Sequence, residues 1–317
     1  MFIAIILLII GFVILIKGAD IFVDGASSMA QNFKVSKILI GLTIVAFGTS
    51  APELAVSIQA LSRGSSDIVL GNVIGSNITN SLLILGIAVV IRNISVKRNT
   101  IKKELPLHML ITTTLAVLFL DNILNGTTTN MISRGDSLAI LLVFSVFLYY
   151  VISISRDKID EESEKAKYSI SKSALFIILG LTGIVLGSDL VVDSATNIAK
   201  YLGVSERLIA LTIVAIGTSL PELVTSIISA IKKEQDILVG NIIGSNIFNI
   251  CIVLGLPTAI YGNLIPTTFK IIDLFFLVLS SILLYLVPKV RNYRISRRSG
   301  ICLILLYVIY YALVFIM

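Results

Sequence analysis

Apolar runs separated by short charged connections fill this chain from end to end. Ten can be marked, α1 to α10, at about residues 2–22, 35–61, 67–91, 105–120, 137–154, 173–201, 205–231, 236–260, 269–287 and 300–317. About 20 apolar residues in a helix cross ~30 Å of hydrocarbon, so each run is expected to span a membrane. The longest polar stretch, 156–171, mixes both signs of charge and divides the runs five and five. The expected organisation is a first transmembrane repeat at 1–155, a cytoplasmic linker at 156–172 and a second repeat at 173–317.

The two halves are related. Gly48 to Leu54 reads GTSAPEL and Gly217 to Leu223 reads GTSLPEL; Gly71 to Asn80 reads GNVIGSNITN and Gly240 to Asn249 reads GNIIGSNIFN. Matched positions differ by 169, and 27 of the 48 residues from Leu39 to Gly86 are identical to their counterparts without a gap. Such self-similarity is internal duplication. It reaches back into α1, where Gly11, Gly18, Asp20, Asp24 and Ala26 match Gly180, Gly187, Asp189, Asp193 and Ala195. α1 is therefore expected to belong to the mature fold and not to a secretory leader, which would also need a basic first segment. Five crossings per copy is an odd number, so the second copy must enter the membrane from the opposite side. The expected fold is all-α: a polytopic membrane protein of ten transmembrane helices in two inverted five-helix repeats.

Composition agrees. Of 317 residues 56% are hydrophobic and 14% charged, against about 25% charged in soluble domains. The net charge of +6 is carried by connections between apolar runs, so it reports topology and not a nucleic-acid partner. The connections α1–α2, α3–α4, α5–α6, α7–α8 and α9–α10 hold 19 of the 25 Lys and Arg, and the other four hold 5. Basic residues stay on the cytoplasmic side, which places both termini outside the cell. Cys251 and Cys302 lie in apolar runs and form no disulfide or metal framework.

The candidate chemistry sits in the repeated motifs. Pro52 has no N–H, so the carbonyl of Gly48 loses its helical donor, and Gly48 adds backbone freedom. α2 is expected to kink there, with freed carbonyls that hydrocarbon tolerates only if something satisfies them. Thr49 and Ser50 precede Glu53 by four and three residues, a spacing that shares one helical face. A carboxylate, two hydroxyls and freed carbonyls make an all-oxygen set suited to a hard cation such as Ca²⁺. Thr218, Ser219 and Glu222 repeat it. Ser76, Asn77 and Asn80, with Ser245, Asn246 and Asn249, supply a second set of oxygens, and the two copies are expected to close one cage. Small-residue patterns such as Gly71 and Gly75 are common packing devices. An intramembrane Glu is by default functional, the more so when duplicated beside a Pro. Asp67 and Asp236, at the starts of α3 and α8, suit the helix dipole, and His108, unrepeated, reads as incidental.

The paired motifs resemble the α-repeats of the cation/Ca²⁺ antiporter superfamily, and the prokaryotic sodium/calcium exchangers in particular, over nearly the whole chain. The resemblance implies a core of α2, α3, α7 and α8, with α1 and α6 sliding past it to alternate access. It implies Ca²⁺ on Glu53 and Glu222 with oxygens of Thr49 and Thr218. Na⁺ sites would use Ser50, Ser76, Ser219 and Ser245, and Asn77, Asn80 and Asn246 would line the cavity. Three Na⁺ would exchange for one Ca²⁺. Some archaeal relatives carry Asp where this chain has Asn249, which removes a third carboxylate. The substrates are then Na⁺ and Ca²⁺ and the surroundings lipid, with no cofactor and no obligate protein partner. The rival antiporters are a proton-driven type, whose motifs end in Glu where this chain has Asn80 and Asn249, and a K⁺-dependent type. A serine-type intramembrane protease would need a base near its nucleophile, and the only His is the unrepeated His108; the aspartyl type would need paired intramembrane Asp motifs, which are not found. A passive channel would pass Ca²⁺ with no opposing ion.

Overall fold

The two longest helices are repeat partners that pack on each other through glycine. α1 spans Phe2–Phe33 and α6 spans Ile170–Tyr201, 32 residues each. A Cβ on Gly11 would sit 3.2 Å from the Gly187 carbonyl oxygen, one on Gly18 2.9 Å from that of Gly180, and one on Gly25 2.9 Å from that of Ser173. The residue numbers rise along α1 as they fall along α6, so the pair is antiparallel with a contact every seven residues, two turns apart. Phe22 lies over Gly180, where a Cβ would come within 2.6 Å of its own Cβ.

The computed structural model describes residues 1–126, 129–156, 166–203, 215–267 and 270–316. Most of the expected linker, the expected start of α7 at Ser205, that of α9 at Phe269, and Met317 lie outside these residues. The remaining helices are α2, Lys37–Thr49 and Ala51–Ser62; α3, Ser66–Ile91; α4, Glu104–Leu118; α5, Arg134–Arg156; α7, Ala215–Gly217 and Leu220–Ile231; α8, Gln235–Tyr261; α9, Ile271–Val290; and α10, Arg297–Ile316. Among the described residues seven helices are long and apolar enough to cross a membrane, and α2, bent by 45°, makes an eighth. α4 keeps its expected bounds to within two residues. Its 15 residues reach about 22 Å, and a separate short helix, Arg98–Lys102, precedes it.

The chain packs as two compact units, Met1–Pro52 with Asp157–Asn241, and Glu53–Arg156 with Ile242–Met317. Each draws on both halves of the sequence. In the first, α1 runs eleven residues beyond its expected end at Phe22, because its polar tail is held. Lys232 pairs with Asp20 at 3.0 Å and with Asp24 at 2.5 Å, Lys167 with Asp24 at 2.8 Å, and Lys37 with Glu234 at 2.9 Å. Ser27 Oγ donates to Glu234 at 2.8 Å. The hydrogen bond to Asp24 raises the pKa of Lys167 and keeps it charged. Asp20 and Asp24, read from sequence as near the end of a helix, are here the anchor of its continuation. These contacts gather the α1–α2, α5–α6 and α7–α8 connections at one end of the unit.

The second unit sorts its connections in the same way. Ile94–Ser95 and Arg294–Ile295 pair as two short antiparallel strands, which joins the α3–α4 and α9–α10 connections. The α2–α3, α4–α5 and α8–α9 connections meet elsewhere. Ile132 bridges to Leu264, and Asp67 accepts from the backbone and hydroxyl of Thr267, both at 2.9 Å. Asp67 thus braces a connection as well as standing in the first turn of α3. Within each unit the connections fall into the sets that alternating crossings require.

Candidate functional site

Both PEL motifs sit just past a helix break. Ser50 and Ser219 have the same backbone conformation, φ −89° and ψ 6°, and the helix restarts at Ala51 and Leu220. The expected kink is present twice, where Pro52 and Pro221 remove donors. Gly48 and Gly217 have a different role from the one expected. Both lie in helix, and a Cβ would come within 3.0 Å of Leu181 at Gly48 and 2.4 Å of Val192 at Gly217. They are small because α6 passes over them, and the break itself falls at the serines.

In the first unit the break brings a hydroxyl onto the opposite repeat's carboxylate. Ser50 Oγ donates to Glu222 Oε1 at 2.7 Å, with both residues buried. Thr49 Oγ1 donates to Asn241 Oδ1 at 3.1 Å, and Asn241 Nδ2 donates to Ser226 Oγ at 3.2 Å. Ser219 is buried and Thr218 half-buried. In the second unit Glu53 is 1% exposed, and its backbone carbonyl accepts from Asn72 Nδ2 at 3.1 Å. The same Asn72 nitrogen also donates to Ser57 Oγ at 3.1 Å.

The asparagines of α3 and α8 lie where both helices change pitch. Thr79–Ile84 and Asn249–Leu254 are π-helical, a widening found often at functional sites. Asn80 Nδ2 donates to Asn246 Oδ1 at 3.1 Å, and Asn246 Nδ2 donates to Ser81 Oγ at 2.8 Å. Asn80 Oδ1 and both amide atoms of Asn77 and Asn249 are buried with no hydrogen-bond partner among the described residues. Leaving a buried amide unmatched costs roughly 1–3 kcal/mol, so these amides call for a polar partner. Ser76 and Ser245 are buried beside them in sequence. Among the described residues no three His, Cys, Asp or Glu side chains form a metal cluster; the buried motif residues offer one carboxylate per repeat and neutral oxygens.

Several polar residues here escape the motif reading. Asn72 and Asn241, with Ser57 and Ser226, recur at the offset of 169 and were legible as a repeated pair of α2–α3 and α7–α8 ties. Ser81 has Ile250 as its counterpart, and His108 has none that the repeat reveals. His108 is far from incidental: it is buried among Asn246, Thr112 and Ser281. The close helix approach expected from Gly71 and Gly75 is absent among the described residues, where a Cβ at either meets nothing within 4 Å. Gly240, the counterpart of Gly71, does make it: a Cβ there would lie 2.6 Å from the Ile38 carbonyl oxygen.

Comparison with known proteins places the chain. The family model described as "Sodium/calcium exchanger protein" matches residues 3–153 and again 172–316. Inner membrane protein YrbG of Escherichia coli is 35% identical over 96% of this chain and 94% of its own length. Sodium/calcium exchanger MaX1 of Methanosarcina acetivorans is 31% identical over 98% and 97%. The solved structure of the sodium-calcium exchanger NCX_Mj superposes with a TM-score of 0.85 at 34% identity, covering 98% of both chains. At that similarity the fold is the one expected, an all-α polytopic membrane protein of ten transmembrane helices in two inverted five-helix repeats. With the duplicated motifs, the twofold match and the shared fold in agreement, the chain belongs to the sodium/calcium exchanger protein family.

Proposed function

We propose that this protein is a secondary active antiporter that exchanges Na⁺ for Ca²⁺ across the cell membrane by alternating access. The observation that carries the reading is a buried carboxylate beyond each of two matched helix breaks, Glu53 and Glu222, each 1% exposed. The family and the relatives named above support it. Ca²⁺ takes Glu53 and Glu222 as its charged ligands, with oxygens of Thr49 and Thr218. Ser50, Ser219, Ser76 and Ser245 serve Na⁺, and Asn77, Asn80, Asn246 and Asn249 supply amide oxygens. Hard cations prefer such oxygen sets. Two carboxylates balance one Ca²⁺ where unpaired charge is costly. Three Na⁺ leave one positive charge over, so each cycle carries net charge.

The repeats are 1–155 and 173–317, joined by a cytoplasmic linker at 156–172, with both termini extracellular. The excess of Lys and Arg on five of the nine connections supports that orientation. The deciding experiment is Ca²⁺ uptake into proteoliposomes loaded with Na⁺, K⁺ or choline. Uptake that requires internal Na⁺ is expected. Equal uptake from all three loads would defeat antiport with Na⁺, and uptake driven by a pH gradient alone would assign the protein to proton exchange.

A further inference from the structure

We infer that His108 is a positioning residue for ion binding, which fixes the polarity of the Asn246–Asn80 amide pair so that Asn80 presents oxygen. Asn246 Nδ2 lies 3.2 Å from His108 Nε2 and 2.8 Å from Ser81 Oγ, so both its protons have acceptors. With its nitrogen held on that side, its Oδ1 faces Asn80 and accepts from Asn80 Nδ2 at 3.1 Å. Asn80 is thereby turned so that its Oδ1, buried and with no hydrogen-bond partner among the described residues, is the atom left over. An amide has one accepting and one donating end. Reversing Asn246 would reverse Asn80 and offer a cation an NH₂ group in place of an oxygen.

The direction of the relay starts at His108. Asn246 turns Nδ2 toward the ring, and we assign the tautomer that matches it: Nε2 accepts, and the ring proton is on Nδ1, 3.2 Å from Ser281 Oγ. Thr112 Oγ1 lies 3.4 Å from the same Nε2, but its proton is engaged with the His108 carbonyl at 2.9 Å. It does not compete for the acceptor. Ser281, His108, Asn246 and Asn80 then read in one direction across α9, α4, α8 and α3, all within one compact unit. A ring that accepts on one side and donates on the other sets such a direction, which an apolar residue of similar size cannot do.

The inference rests on Asn80 being an ion ligand, so the test separates the two. His108 is the chain's only histidine. The tag-free protein labelled with ¹⁵N-histidine therefore reports one ring, whose pyridine-type and pyrrole-type nitrogens resonate far apart. A proton on Nδ1 is expected; a proton on Nε2 overturns the relay whether or not the protein transports. In proteoliposomes His108→Leu is expected to raise the KM for Ca²⁺ about 10-fold or more with a smaller change in kcat. His108→Gln, whose amide oxygen can accept from Asn246, is expected to restore most of the loss. A folded His108→Leu protein with unchanged KM, or one whose loss Gln does not reduce, overturns the inference. Absence of Na⁺-dependent uptake in the wild type would instead defeat the exchanger reading, while the tautomer measurement still decides the relay.

Discussion

Glu222→Gln separates the charge at the site from its shape. The glutamine keeps the length and one oxygen, and Ser50 Oγ, now 2.7 Å from Oε1, can donate to the amide oxygen as it does to the carboxylate. A hydrogen bond to a charged group contributes about 1.5–3 kcal/mol and one to a neutral group about 0.5–1.5. The ion-free fold therefore loses only about 1 kcal/mol there. It also no longer has to bury a charge in a residue 1% exposed, which offsets the loss. The ion-bound state differs. Removing one partner of a buried ion pair costs about 3–5 kcal/mol, and each 1.4 kcal/mol is tenfold in affinity. The KM for Ca²⁺ should rise by roughly two orders of magnitude or more, while the melting temperature in detergent changes by only a few degrees. The assay is Ca²⁺ uptake into Na⁺-loaded proteoliposomes over a wide Ca²⁺ range, beside thermal unfolding of the same preparation. A folded variant with wild-type KM and rate would refute Glu222 as a Ca²⁺ ligand. Glu53→Gln should behave alike, since Glu53 occupies the matched position and is equally buried.

Other outcomes follow from the same structure. Single cysteines placed in the 156–172 linker and at the C-terminus, after replacing the exposed Cys302 and buried Cys251, should label from opposite sides of the membrane; labelling from one side refutes the inverted topology. Gly180→Leu should abolish transport and lower the melting temperature, because even its Cβ would lie 2.6 Å from that of Phe22; normal flux would mean α1 and α6 can part at that point. Lys232→Met should reduce transport or stability by loosening the tail of α1, as Lys232 holds both Asp20 and Asp24; no change in either would make the cluster incidental. Na⁺-driven Ca²⁺ uptake should speed when a K⁺/valinomycin potential makes the Na⁺-containing side positive, since one charge at 100 mV is worth ~2.3 kcal/mol; flux indifferent to potential would exclude the three-to-one ratio.

How much of this was legible from sequence depends on where the cause lies. The break in α2 was readable because proline acts locally, through a missing N–H four residues from the Gly48 carbonyl. That the break would centre on Ser50 and turn its hydroxyl to Glu222, 172 residues away, was not, since nothing local specifies that partner. Gly48 was read as freedom and proves to be room, because the pressure on it comes from Leu181 of α6. The full length of α1 was hidden for a similar reason: Asp20 and Asp24 look like an end until Lys232 and Lys167 arrive from far along the chain. The π-helical turns at Thr79 and Asn249 have no sequence signature to read.

The duplication itself biased the reading. Residues present in both copies stand out, and Glu53 with Glu222 or Asn80 with Asn249 were found that way. A repeated residue marks what the two halves have in common. What differs between them is silent in that comparison: Ser81 has Ile250 at the matched position, and His108 has no counterpart revealed by the repeat. Yet both lie on Asn246 Nδ2, so with the tautomer inferred above the orientation of a repeated asparagine is set by residues that are not repeated. Two halves that supply similar ligands can therefore hold them unequally, because each set of ligands answers to its own surrounding hydrogen bonds and not to the symmetry of the motif.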